Sequence, residues 1–391
     1  MPHRADLPPS RAIVPRRMLA ALLSLVACDG SSGDSQTDGA SSSTTTSSTG
    51  DGTTGTSPTS GAGTGDIHGP TGEWVFHPVA GTICANGTPT GLGVNQGTGD
   101  RLVIYMSGGS ACLDAGCTIG TPSMRKDGGF GADELAACVA GDCDGNVTFP
   151  ADSIFDRAAA VNPFADATFV FISNCAGDYY VGDNDHEFSG WTAQFHGSRN
   201  QGLFAAALAA SFPDAARVVL TGGSAGSVGA TLNYWQWVEA FPGTRVDLVS
   251  DSFALVFADG PEWRYDLHAP QVPPGCPTCA TDYRTVYAFN AGLAPGSRIA
   301  VLDSENNWTL DLATGYQYTQ GLEALQPLLD DLPDLRYYIA SGNVHILMQH
   351  PLDSAAIDVE RDGEAPQRLS DFLAQMQGDD PAWASMSCLD P

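Results

Sequence analysis

The sequence predicts an α/β fold with a mostly parallel central sheet, helices on both faces and disulfide-stapled loop insertions. Six short apolar runs recur after residue 100, helical stretches separate some of them, and cysteines stand in close pairs within glycine- and proline-rich segments. Runs that are apolar throughout suit strands buried on both faces. Strand, helix, strand is the pattern of a parallel sheet whose faces are covered.

The N-terminus comes first. Arg11, Arg16 and Arg17 precede an apolar run from Met18 to Ala27 that is too short to cross a bilayer, so residues 1–28 are expected to be an export signal. Its Leu-Val-Ala-Cys ending resembles a bacterial lipobox, which implies lipid attachment at Cys28 and a membrane-anchored lipoprotein of the cell envelope or exterior. Residues 29–67 are almost wholly Ser, Thr, Gly and Asp, a composition that predicts a flexible tether. The remainder, 68–391, is expected to form one domain and to act as a monomer.

The predicted strands are Arg101–Met106, Ala167–Ile172, Arg217–Leu220, Val246–Val249, Arg298–Leu302 and Leu335–Ile339. Helices are expected over Asn200–Ala210 and Val228–Phe241. The segments Gly128–Phe149 and Pro270–Thr281 read as surface insertions. Of ten cysteines, nine follow Cys28. Export makes disulfides the default for them: Cys112 with Cys117, Cys138 with Cys143, Cys276 with Cys279, and Cys84 with Cys175 as the long-range pair, leaving Cys388 over. A zinc or redox use of Cys276-Pro-Thr-Cys279 lacks a second such pair. The formal net charge of −28 argues against nucleic acid and anionic membrane surfaces as partners.

Polar residues sit just past the predicted strand ends, where parallel α/β sheets gather ligands. After the third run comes Gly222-Gly223-Ser224-Ala225-Gly226, the layout of a nucleophile elbow, which exposes a serine on a strained strand-to-helix turn. Serine needs an imidazole to take its proton and a carboxylate to orient that imidazole. Ser224, Asp303 and His345 supply these in the chain order of α/β-hydrolases, with Asp251 as alternative acid. His345 stands out from His3, His77, His186, His196 and His268 by its place in a glycine-containing loop beyond the last run; His350 is the fallback. Gly108-Gly109 after the first run would present the Gly109 and Ser110 N–H groups, with that of Ala225, to a tetrahedral oxyanion. Trp191, Trp263 and Trp308 are candidates to line an acyl pocket or stack on sugars.

With these residues in hand, the chain resembles the pectin acetylesterase and Notum carboxylesterase family. The resemblance rests on Leu102–Cys112, Asn174–Asp183, His196–Asn200, Gly222–Gly226, Asp303-Ser304-Glu305-Asn306 and Gly342–His345, and spans roughly Trp74 to Leu352. It implies an α/β-hydrolase-like core, a serine carboxylesterase acting on acetyl or other acyl esters through an acyl-enzyme, no metal and no cofactor. It also implies the disulfides Cys84 with Cys175 and Cys112 with Cys117. The substrate expected is an ester such as an acetylated polysaccharide. The chain departs from the family at Ser110, where the family has tryptophan, and at Ser227, where it has glycine. A different register around the acid would set Asn306 or Asn307 there and leave Asp251 or nothing as the acid. Two rival functions stand beside this one. The first is a catalytically weak hydrolase-fold lipoprotein that binds a surface glycan or protein; the second is a peptidase or lipase of another hydrolase family.

Overall fold

The computed structural model describes residues 66–143, 149, 152–256, 266–310, 318–360 and 365–389. The export signal with Cys28, nearly all of the tether, and Trp263 lie outside the described residues. In chain order the elements are β1 Trp74–Ile83, β2 Pro89–Asn95, β3 Arg101–Met106, α1 Ala132–Val139, β4 Thr168–Ile172, β5 Asn184–Phe188, β6 Trp191–Phe195 and α2 Gly197–Ser211. They continue with β7 Arg217–Gly223, α3 Ala225–Ala240, β8 Arg245–Asp251, α4 Thr285–Leu293, β9 Ile299–Ser304, α5 Tyr318–Asp330, β10 Leu335–Ala340, α6 Leu369–Gln377 and β11 Met386–Ser387.

Nine strands form one sheet in the order β1, β2, β4, β3, β7, β8, β9, β10, β11. From β4 to β11 every neighbouring pair is parallel; β2 runs antiparallel to both β1 and β4. All six predicted strands are present within a few residues of their expected bounds. Side-chain alternation divides the core into two layers. Leu102, Ile104, Val218, Leu220 and Leu248 face one way, against α2, α3, α4 and α5. Val103, Tyr105, Val219 and Val249 face the other, against α1 and α6. Each such side chain taken out of water contributes about 2 kcal/mol.

Three parts of the sheet system were not legible as strands. β1 is half-exposed along most of its length and β2 carries two glycines, so neither shows an apolar run. Gly91 has to be glycine, because a Cβ there would run into the His77 carbonyl across the β1–β2 pairing. The β5–β6 hairpin is a separate, largely polar ribbon, and β11 is only two residues long. The segment expected as an insertion near Gly128 contains α1, whose first turn is closed by Glu134 accepting from the Gly131 N–H at 2.8 Å.

All four expected disulfides are formed, and Cys388, outside these four pairs, donates its thiol to Glu305 Oε2 at 3.4 Å. Because Cys276 and Cys279 are bonded to each other, their thiolates are not available as ligands. The Cys84–Cys175 bridge spans 91 residues and ties the turn after β1 to the loop after β4, where Ala85 N–H also donates to the Cys175 carbonyl at 2.8 Å. Replacing both cysteines by serine is expected to lower the unfolding free energy by about 4 to 5 kcal/mol through loop entropy. Urea denaturation at equilibrium checks this; a loss below 1 kcal/mol would mean that the unfolded chain is already held together here.

Candidate active site

β7 lies at the middle of the sheet and delivers Ser224 at its carboxyl end. Ser224 adopts φ 54° and ψ −118°, a conformation that side chains other than glycine rarely take, and it is half-exposed between buried Gly223 and Ala225. The neighbouring glycines make the turn possible. A Cβ on Gly222 would meet the Gly226 backbone, and one on Gly226 would meet the Met106 carbonyl of β3. The Ser224 N–H donates to the Asp251 carbonyl at 2.9 Å, so the elbow is pinned to the end of β8. Ser227, one of the departures from the family pattern, has a use. Its Oγ donates to the Phe253 carbonyl at 3.2 Å and lies 2.6 Å from Ser250 Oγ, fastening α3 to the loop after β8.

The loop after β3 passes directly beside the serine. A Cβ on Gly108 would lie 3.4 Å from Ser224 Cβ. Gly109 and Ser110 both have positive φ, 116° and 64°. Among the described residues, the N–H groups of Gly109, Ser110 and Ala225 donate to no protein acceptor. Ala225 is the first residue of α3, so its N–H also carries the positive end of the helix dipole. Such donors can hold an oxyanion.

Two residues that no role was foreseen for keep this loop in place. Asn174 Nδ2 donates to the Ser110 carbonyl at 2.8 Å, and Asn174 N–H donates to Ser107 Oγ at 3.1 Å. The buried Tyr180 hydroxyl sits 2.9 Å from the carbonyls of both Ser107 and Ile172. Tyr180 itself has φ 65°, held by the Asp178 carboxylate, which accepts from Tyr180 N–H at 2.9 Å and from Gly197 N–H at 2.6 Å. Burial pushes Asp178 up to about 7. The signal for these residues was the run Asn174–Asp183 just past a strand end, where polar side chains have little reason to be unless they brace a loop.

His345 lies in the loop after β10, and the residue following it, Ile346, packs against Gly108 and Gly223 on either side of the serine loop. Its Nδ1 lies 3.0 Å from Asn307 Oδ1. Asn307 Nδ2 in turn donates to Asp303 Oδ1 at 2.8 Å, which also accepts from Ser304 N–H at 2.9 Å, and the Tyr318 hydroxyl donates to Asp303 Oδ2. The expected direct contact of Asp303 with His345 is therefore replaced by a row: His345, Asn307, Asp303, Tyr318. Strand parity explains it. Asp303 points to the same face as Ile299 and Val301, into the layer that holds Tyr318, whereas Asn307 is four residues further on, where the chain has turned toward His345. The row also sets the proton. Asp303 accepts from the Asn307 amide N–H, so the amide oxygen faces His345, Nδ1 carries the hydrogen, and Nε2 is left as the acceptor nitrogen. Burial pushes His345 down to about 4 and Asp303 up to about 6.

Asp251, the alternative acid, does not meet the imidazole either. Its carboxylate accepts from Leu347 N–H at 2.9 Å, Met348 N–H at 2.8 Å and Ser252 Oγ at 2.8 Å, and Ser252 Oγ accepts from Ile346 N–H at 2.9 Å. Its carbonyl holds Ser224 and its carboxylate holds the turn after His345, so one residue sets both loops relative to each other. Three other histidines bond elsewhere or pack. His196 sits between Asp183 and Asp185, His268 is buried with Nε2 donating to the Cys112 carbonyl, and His186 packs against Phe188. Trp191 Nε1 donates to the Ala115 carbonyl, while Trp308, next to Asn307, is 59% exposed.

A serine on a strained strand-to-helix turn of a parallel sheet, with a histidine loop packed beside it, is the layout of the α/β-hydrolase fold. The family model described as pectinacetylesterase matches residues 74–268, and the chain belongs to that family, which makes it an acetylesterase-type hydrolase. The match covers the elbow and the loops after β3 and β4; Asp303, Asn307 and His345 lie beyond it. No curated protein matches the chain.

Proposed function

We propose that the protein is a serine carboxylesterase that works through an acyl-enzyme, exported and tethered to a bacterial envelope by lipid on Cys28. Family membership supports the ester substrate. The observation that carries the serine mechanism is the Ser224 turn, strained and half-exposed, with His345 in the loop packed against it. In this reading His345 Nε2 takes the Ser224 proton as Oγ attacks the ester carbonyl. The oxyanion accepts from the Gly109, Ser110 and Ala225 N–H groups. The intermediate collapses with His345 protonating the leaving alcohol, and water repeats the sequence on the acyl-enzyme. Asn307 holds the imidazole in register, and Asp303 lends its charge through the amide. Four disulfides fit an oxidising compartment.

A fluorophosphonate probe tests this: labelling that disappears in Ser224→Ala supports the reading, and an unlabelled wild-type protein would sink it. One observation favours a second reading, a weakly catalytic protein that binds a surface glycan. The group against His345 is a neutral amide, which stabilises imidazolium less than a carboxylate does. Turnover of p-nitrophenyl esters of rising chain length separates the two.

The pH profile follows from the burial of His345. Its free-enzyme value of about 4 lies below the usual histidine range, so the base form persists well into acid. Initial rates of p-nitrophenyl acetate hydrolysis are expected to give a kcat/KM that declines by no more than about tenfold between pH 8 and about 5, as Asp303 takes its proton near 6, and then falls about tenfold per unit below about 4. Stability has the same sign but starts earlier. The unfolded histidine binds its proton near the ordinary value while the folded one does not, so the contribution of neutral His345 is whole above about 6.5 and is lost as pH falls from there toward 4. A kcat/KM inflection near 7 would mean that another base acts.

A further inference from the structure

A cavity of about 340 Å³ opens past the carboxyl ends of β3 and β4, beside the loop that follows β3. This is within the size range of small-molecule sites, about 300–1,000 Å³. Ser107 and Ser173 stand at its inner end, and Phe130 and Phe171 form its apolar floor. It shares a wall with the candidate active site. Ser107 immediately precedes Gly108, and the methyl of Thr121, another lining residue, lies where a Cβ on Gly109 would fall.

The mouth is acidic. Asp127, Glu134 and Asp142 line it against a single guanidinium, Arg125. The nearest lysine, Lys126, donates instead to the Gly190 carbonyl at 2.8 Å. Carboxylates and hydroxyls over an apolar floor suit a neutral ligand rich in hydroxyl donors, with Arg125 left to donate to a ring or hydroxyl oxygen. They repel a polyanion, as does the net charge of −28 on the whole chain. At the other edge of the site the exposed Trp308 indole offers a face on which a sugar ring can stack.

We propose that this cavity is a subsite for a neutral sugar unit of the substrate, so that the substrate class is an acetylated neutral glycan and not a polyuronate. The proposal rests on the esterase reading for its catalytic part and on the cavity for its binding part. Acetylated xylo-oligosaccharides, acetylated oligogalacturonides and p-nitrophenyl acetate are the three substrates that test it. The neutral ester is expected to have a kcat/KM at least tenfold above that of the uronate ester. Ala137→Trp, which fills the cavity from α1, is expected to lower the ratio of xylo-oligosaccharide ester to p-nitrophenyl acetate kcat/KM about tenfold, through KM. Asp127→Lys combined with Asp142→Lys is expected to narrow the preference over the uronate. Preference for the uronate in the wild type, or a ratio that Ala137→Trp does not move, overturns the proposal. Should Ala137→Trp fail to fold, Asp127→Ala reads out the same ratio. Calorimetric titration of Ser224→Ala with unesterified xylo-oligosaccharide separates the two parts: binding without any p-nitrophenyl acetate turnover in the wild type would sink the catalytic reading alone, and absence of binding would sink the subsite.

Discussion

Ser224→Gly is expected to abolish esterase activity and at the same time to stabilise the fold. The activity loss follows from removing the nucleophile and should reach about 10⁶ in kcat on p-nitrophenyl acetate, the scale seen when a serine hydrolase loses its serine. The gain in stability follows from the backbone. Ser224 sits at φ 54°, ψ −118°, and such a conformation costs about 1–3 kcal/mol for a residue with a Cβ and little for glycine. Part of that gain is offset by the larger chain entropy of unfolded glycine, so a net rise of about 1 kcal/mol in unfolding free energy is expected. Ser224→Ala, which keeps the Cβ, should lose the same activity with no rise. The comparison is informative because a serine that merely packed would have no reason to be strained. Equal stabilities for the glycine and alanine variants, by urea denaturation, would remove strain as an argument for the elbow.

The second large effect concerns the row behind the histidine. Asn307→Ala removes the acceptor that holds His345 Nδ1–H, freeing the ring to turn and to adopt the wrong tautomer. By comparison with serine proteases whose orienting residue no longer fixes the tautomer, kcat is expected to fall about 10⁴. Asp303→Asn acts one bond further away, through Asn307, and is expected to cost only about tenfold if the amide network can reorient, an allowance made for a group that does not touch the imidazole. A direct Asp303–His345 pair would reverse this order. Asn307→Asp is the most telling variant: it sets a carboxylate against both His345 and Asp303, and two carboxylates in contact cannot both ionise readily. Its kcat/KM should acquire a new inflection between pH 5 and 8, and pairing it with Asp303→Asn should remove that inflection. If Asp303→Asn costs 10⁴ while Asn307→Ala is mild, the acid belongs at position 303 after all.

The elements legible in the sequence share a physical cause. β3, β4, β7, β8, β9 and β10 are buried along most of their length, so each carries apolar residues at its centre, as in Val218–Leu220 or Ile299–Leu302, and that leaves a run that needs no partner to be recognised. The Gly222–Gly226 turn is legible for a similar reason: its glycines answer to close backbone contacts that any side chain would break. β1 and the β5–β6 hairpin are only partly covered, and β2, though buried beyond Pro89, is interrupted by glycines and polar residues, so their pairing is specified by partners elsewhere in the chain.

By itself the sequence determined the sheet type, the position of Ser224, the loop holding His345 and the four disulfides, since each depends on burial or on residues close in the chain, apart from the one long bridge. The tertiary structure alone settled which group touches the imidazole. Asp303 and Asn307 differ by four positions, and whether one or the other reaches His345 depends on where β9 ends, which face each side chain leaves from, and what Tyr318, arriving from α5, holds in place. It also turned Asp251 from a rival acid into the residue that spaces the serine loop from the histidine loop. Contacts of this kind join segments tens of residues apart through single hydrogen bonds, and such bonds leave no periodicity in a sequence.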